Sequence, residues 1–208
     1  MMVRRILAVA ALVLLAGCAT NRAEVDVKPP GNTQTPAPNN GKKVYISAVD
    51  DRVFQIKPSS FDTPSLKYDE IDDKSITERA IARKRNNFNM AIGDVLLPEG
   101  RTVSELVGDA VATAYRQAGY EVVSAPGAPD ITEVKVQIIE FWSWYSAEGV
   151  LDKVLSNKSL LQIKAPGVPA HPVNTLVSEK VKVATDTDWK TITEAGLEAI
   201  IQETLKQL

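Results

Sequence analysis

The sequence predicts an α+β fold, a two-layer domain in which a largely antiparallel sheet carries two main helices on one face. Three observations predict it. Two segments repeat apolar residues at the helical period and begin with capping residues; several others alternate with period two; and the order β, α, β, β, β, β, α leaves both helices free to cover one side of the sheet.

"KVYISAV", Lys43 to Val49, is apolar on both faces, as expected of an inner strand. Asp50 to Asp73 is interrupted by proline and acidic in its second half, and is expected to be irregular. Ser75 to Leu97 fits a hairpin turning at Asn86-Asn87, with a short opening helix as the alternative.

Thr102 and Glu105 have the spacing of a capping box. Val103, Leu106, Val107, Ala110, Val111, Ala114 and Ala118 then form one helical stripe, and Gly119 ends it. Tyr120 to Val123 is a short strand. Asp130 to Tyr145 sets Val134, Val136 and Ile138 against Glu133, Lys135 and Gln137, the pattern of a half-buried strand. Ser159 to Ala165 and Val173 to Thr185 read as two more strands, with Lys180 and Lys182 opposite Val181 and Val183. Asp186 or Asp188 is placed to cap a final helix whose inner face carries Trp189, Ile192, Gly196, Leu197, Ile200, Ile201, Leu205 and Leu208.

Ahead of this domain lies a different kind of sequence. Arg4 and Arg5 precede an uncharged apolar run, Ile6 to Ala16, too short for a helix that spans a bilayer, which takes about 20 residues. A basic start, an apolar run and small residues before a processing point make up a secretory signal peptide. The run ends in Leu15-Ala16-Gly17-Cys18, which resembles the lipobox of bacterial lipoproteins. The resemblance implies cleavage between Gly17 and Cys18, a diacylglycerol thioether on the Cys18 sulfur and an acyl chain on its new amino group. Residues 1–17 are then a signal peptide, and Cys18 is the lipidation site. A single myristoyl chain gives only reversible membrane binding, at about 0.8 kcal/mol per buried methylene, so three chains imply a lasting anchor. Ala19 stands where aspartate would mark inner-membrane retention, which implies the periplasmic face of the outer membrane.

Residues 18–41 are rich in proline and glycine and carry no aromatic, so beyond the lipidated Cys18 they read as a flexible tether with a mean span on the order of 26 Å. Residues 42–208 form the periplasmic domain. Removing residues 1–17 takes away Arg4 and Arg5 and leaves 22 bases against 26 acids, a net charge of −4, which argues against nucleic-acid binding.

The lipobox, the tether, the early strand, the helix ending "AYRQAGYEV", the strand "DITEVKVQI" and the amphipathic C-terminal helix together resemble the YajG-type lipoproteins. That resemblance extends over Val44 to Leu208 and implies an envelope location; it carries no activity.

The groups an enzyme needs are scarce. His171, the one histidine, lies in the proline-rich "APGVPAHPVN", read as a solvated loop, and no G-x-S-x-G elbow accompanies it. Acylation of Cys18 removes the one thiol from nucleophilic and metal chemistry. Asp69, Glu70, Asp72 and Asp73 lack the spacing and the glycine of an EF-hand loop, so a solvated acidic loop is expected. "RKRNN", Arg83 to Asn87, reads as a wet hairpin tip, with phosphate binding as the alternative. No catalytic residue, metal or cofactor is expected beyond the lipid on Cys18.

The segment with most to say is "EFWSWYS", Glu140 to Ser146. Strict alternation puts Trp142 and Trp144 on the face of Val136 and Ile138, and puts Ile139, Phe141 and Tyr145 on the other. A strand that is polar outside at one end and apolar on both faces at the other needs a second cover. The cover is either internal, from Asp50 to Asp73 or Val150 to Leu155, or external: a partner protein, a glycan or the membrane surface. Phe141, Trp142, Trp144 and Tyr145 are therefore the candidate partner-binding residues. The expected function is a non-enzymatic, anchored lipoprotein that binds an unidentified envelope protein, or alternatively a glycan or lipid.

Overall fold

The computed structural model describes residues 22–31, 37–86, 90–148, 152–167 and 169–208. Gly17 and Cys18 lie outside them, as does Asn87. Among the described residues eight strands and three helices follow in order: β1 Ala23–Glu24, β2 Lys43–Asp50, α1 Lys74–Thr77, β3 Ala80–Arg85, β4 Ala91–Leu96, α2 Val103–Gln117, β5 Glu121–Val122, β6 Ile131–Glu148, β7 Asp152–Lys164, β8 His171–Val181 and α3 Asp186–Leu205.

The 18-residue β6 organises the single sheet. One of its edges pairs antiparallel with β7, and β7 in turn with β8. Its other edge is shared by two strands in succession. β2 pairs with its first half, from Lys43 opposite Ile131 to Asp50 opposite Ile138, and β3 joins farther along, Ala82 opposite Ser143. Both run parallel to β6, as do β5 to β2 and β1 to β4. The sheet is therefore mixed and not largely antiparallel: β2 and β3 act as one interrupted strand, and the chain between them leaves the sheet and returns.

Both main helices pack on one face, as the stripes predict. α2 opens with the Thr102 and Glu105 capping box and buries Val103, Leu106, Val107, Ala110, Val111 and Ala114. Past its end Gly119 takes φ +87°, and a Cβ there would run into the carbonyl of Pro38. α3 is capped by Thr185, with Asp188 as the reciprocal partner at the third position, so neither Asp186 nor Asp188 is itself the cap. A hydroxyl at the cap and a carboxylate three residues on satisfy two orphan N–H groups. Leu208 lies past the helix and is exposed. Between helices and sheet lies the main core, with Val134, Val136, Ile138, Leu155, Leu161, Ile163, Trp189, Ile192 and Ile200.

The reading of residues 18–41 as a tether is corrected for the described part. β1 adds to the edge of β4, with Ala23 opposite Val95, and Val25 and Val27 are buried in the main core. The period-two pattern of Ala23, Val25 and Val27 against Glu24, Asp26 and Lys28 is a strand signal, masked by the prolines and asparagines that follow. Arg101 holds Asp26 at 2.6 Å, and the Lys28 N–H donates to Glu194 of α3. The Ala37 and Asn40 N–H groups donate to Gln117 and Gly119 at the far end of α2.

Candidate interaction site

The aromatic half of β6 departs from simple alternation. Between Ile138 and Glu140 the β6–β7 register slips by one, so Ile138 faces Leu161 and Glu140 faces Leu160. This bulge inverts the side-chain phase of everything after it. Phe141 and Ser143 turn to the helix face, in line with Val136 and Ile138, and Tyr145 packs against the same core. Trp142 and Trp144 turn to the opposite face. Both assignments made by alternation are thereby reversed.

The second cover is internal. Trp142 is buried with Leu66, Ala80 and Leu96, and Phe54, Ile71, Ile76 and Trp144 pack around them. Phe54 meets the Trp142 ring edge-on, 6.0 Å between centroids. The irregular segment from Asp51 to Asp73 thus closes the back of the sheet. Phe141 and Trp142 are core residues, exposed by 0% and 1%, and offer no surface to a partner; Trp144 and Tyr145 remain half-buried. Lys153 lies over the Tyr145 ring at 5.6 Å.

Arg52 fastens this cover where β2 gives way to β3. Its Nε and Nη2 donate to the two carboxylate oxygens of Asp50, its Nη1 to the carbonyls of Ala80 and Phe141, and its Nη2 also to that of Thr77. At the other side of the cover Lys158 of β7 binds Asp62 at 2.9 Å and Glu140 at 3.1 Å. Burial draws the Lys158 ammonium down, but these two carboxylates outweigh it and the net shift is upward.

A cluster of charges closes the edge near β1. Arg22 contacts Glu70 at 2.8 Å and Asp94 at 3.3 Å, with Arg83 3.8 Å from Asp94. Burial pushes the Asp94 carboxyl above the usual carboxylate range, against the pull of Arg83 and Arg22. Two solvated loops expected from the sequence are therefore partly folded in. Glu70 is buried and paired, and Asp73 caps α1. Of the basic tip, Arg83 turns inward, Lys84 binds Asp186 at 2.8 Å, and Arg85 lies 5.0 Å over Phe61.

His171 is likewise not in a solvated loop. It opens β8, half-buried, with Nε2 enclosed and without a hydrogen-bond partner among the described residues. It lines a cleft of about 560 Å³ with Tyr115, Tyr120, Lys42, Thr132 and Pro166. Burial, with Tyr120 alongside, pushes the Tyr115 hydroxyl up to about 12. Lys43 and Asp130 line the same cleft and pair at 2.9 Å.

Arg52 and Asp94 fasten this architecture, and the sequence alone does not single them out. An arginine and an aspartate two apart in "VDDRVF" have no distinguishing spacing. Asp94, though, stands as a lone acid between apolar residues in "AIGDVLL", which is a signal of a buried and partnered charge.

No family model matches the sequence, and neither does any curated protein. Among solved structures, a Xanthomonas campestris protein of the DUF330 family is similar at TM-score 0.43 and 9% identity, over 89% of this chain and 90% of that one. A minor lipoprotein from Acinetobacter baumannii is similar at TM-score 0.37 and 9% identity, over 82% of this chain and 95% of that one. An uncharacterised protein gives TM-score 0.46 at 9% identity, over 88% of this chain and 99% of the other.

Proposed function

We propose that the protein is a non-enzymatic periplasmic lipoprotein, anchored to the outer membrane through Cys18, whose α+β domain binds another envelope component, a protein. One observation carries the reading: Leu15-Ala16-Gly17-Cys18 at the end of an apolar run that follows Arg4 and Arg5. The resemblance to YajG-type lipoproteins supports the same reading. Among the described residues, no helix is long and apolar enough to cross a membrane.

Protein is favoured over glycan because of where the aromatics lie. A sugar stacks on an open, flat aromatic face, and Phe141 and Trp142 are buried on opposite sides of β6. Trp144 on the cover face and Tyr145 on the helix face are each half-buried, and each leaves only a small exposed edge, of the kind a protein partner meets.

The anchor is tested by labelled palmitate. Wild type should incorporate it and Cys18→Ala should not; equal labelling of the two defeats the proposal. A photocrosslinker at position 144 or 145, used in cells, tests the partner. One envelope protein captured at both positions supports the reading, and capture of glycan alone refutes it.

A further inference from the structure

The lower end of the sheet is a membrane-contacting surface, we infer, and it is held against the headgroups of the same bilayer that takes the lipid of Cys18. The inference rests on the anchor proposed above and adds an orientation to it.

The first argument is reach. Because β1 belongs to the sheet, the link from anchor to domain is far shorter than composition suggests. Cys18 precedes Arg22 by four residues, and four residues of extended chain span at most about 14 Å. The lipidated residue therefore lies within that distance of a fixed point of the fold, and a long stand-off is impossible.

The second argument is direction. β1 runs parallel to β4, so the chain before Ala23 enters from the end where β4 begins, which is the tip of the β3–β4 hairpin. From Asp94, which holds Arg22, to Met90 at that tip is again four residues, about 13 Å of strand. The tip lies as far down as the anchor can reach.

The third argument is what else lies there. β3 and β6 are parallel, and β7 and β8 pair antiparallel beyond them, so the β3–β4, β6–β7 and β8–α3 connections all come to the same end. The bond from Lys84 to Asp186 ties the first of these to the last. Met90 is 59% exposed and Ile92 43% at the hairpin, and Val183 is 66% exposed at the β8–α3 connection, beside exposed Lys180 and Lys182. Exposed apolar side chains with lysines beside Val183, even with Glu179 and Asp186 also exposed there, suit the boundary between phospholipid headgroups and acyl chains, where lysine stems lie along apolar surface while their ammonium groups remain in water. The opposite end, with the His171 cleft, then stands on the order of 55 Å away, the length of β6.

The full-length acylated protein, reconstituted into phosphatidylethanolamine–phosphatidylglycerol vesicles, provides the test. In it the thioether occupies the Cys18 sulfur, so Met90→Cys, Val183→Cys and Ala128→Cys each carry a single reactive thiol for an environment-sensitive fluorophore. With spin-labelled lipid in the bilayer, the probes at 90 and 183 should lose about half their emission or more, as at a depth of about 5–10 Å. The probe at 128, exposed at the far end, should lose none. Acylated Cys18 with no quenching at 90 and 183, or with equal quenching at 128, overturns the orientation alone. An unmodified Cys18 by mass spectrometry overturns the anchor on which it rests. A flexible insertion of about 20 residues after Thr20 should abolish most of the quenching. Unchanged quenching in that variant overturns the claim that the short link presses this end to the bilayer.

Discussion

Arg52 grips both carboxylate oxygens of Asp50, at 2.8 and 2.7 Å, two residues back along its own chain. The pair sits where β2 ends, and the remaining N–H groups of the guanidinium point into the gap left in the sheet, onto Thr77, Ala80 and Phe141. All five donors of the fork are used, and the side chain is fully enclosed. One side chain thereby supplies the bonds a strand would have made and sets where the chain departs and returns.

Replacing that fork should be costly. Arg52→Met leaves the Ala80 and Phe141 carbonyls without donors and Asp50 without its partner, at about 3–5 kcal/mol. Arg52→Lys recovers little, because an ammonium cannot meet a carboxylate bidentately while reaching three carbonyls. Urea unfolding followed by tryptophan fluorescence measures both. A loss below about 1 kcal/mol in either variant would mean that the gap is held by other contacts.

The two tryptophans on the covered face of β6 differ in depth, and so should their contributions to stability. Trp142→Ala removes a fully buried ring from the second core and should cost about 3–5 kcal/mol. Trp144→Ala removes a half-buried ring and should cost about 1 kcal/mol or less. Equal costs would mean that the cover encloses the two rings alike.

Much of the fold can be read from the chain because local signals and burial agree there. The stripe from Val103 to Ala114, the Thr102–Glu105 box and Gly119 specify α2 without tertiary help. What escapes is what depends on a partner strand. A bulge leaves no mark in "QIIEFWSW", since Ile139 is the same residue as Ile138 before it; the extra residue is defined by its pairing with β7. Parallel pairing of β2 and β3 with one edge of β6 is likewise invisible in their alternation. For the candidate site this decides everything, because one register step exchanges which aromatics face the helices and which face the cover.

Gly196 of α3 lies against Asn157 of β7, and a Cβ there would overlap the Asn157 carboxamide. Asn157 is fully buried, and its Nδ2 donates to Ser143 Oγ at 2.8 Å, which itself meets Thr193. Alanine is the better helix former by about 1 kcal/mol, yet Gly196→Ala should destabilise by about 1–3 kcal/mol through overpacking. In an Asn157→Ala background the clash is gone and the same change should be neutral or stabilising. The coupling in this double-mutant cycle is the measurement, and additive effects would refute the contact.

The first described strand should behave as part of the domain. Val25→Ala and Val27→Ala each remove buried methyl groups from the main core and should cost about 1–2 kcal/mol. A chain beginning at Lys42, which would suffice if everything before it were a tether, should lose several kcal/mol and expose the edge of β4. Equal urea midpoints for the truncated and longer proteins would contradict the pairing of Ala23 with Val95.

Asp94 supplies a pH dependence of definite sign. Burial outweighs the neighbouring arginines and raises its carboxyl above the ordinary value of 3.8. The folded protein then binds the Asp94 proton more tightly than the unfolded chain does, so keeping this carboxylate ionised lowers stability at neutral pH. As pH falls through the raised value, the wild type should gain stability relative to Asp94→Asn, levelling off below the unfolded value near 3.9. The asparagine variant carries the rest of the titrating background, so the difference between the two proteins isolates this group. Urea midpoints of both, taken from pH 7 downward, measure it. A difference that instead shifts against the wild type with falling pH would mean that Arg22 and Arg83 dominate, and that the cluster is held by charge pairing more than it is opposed by burial.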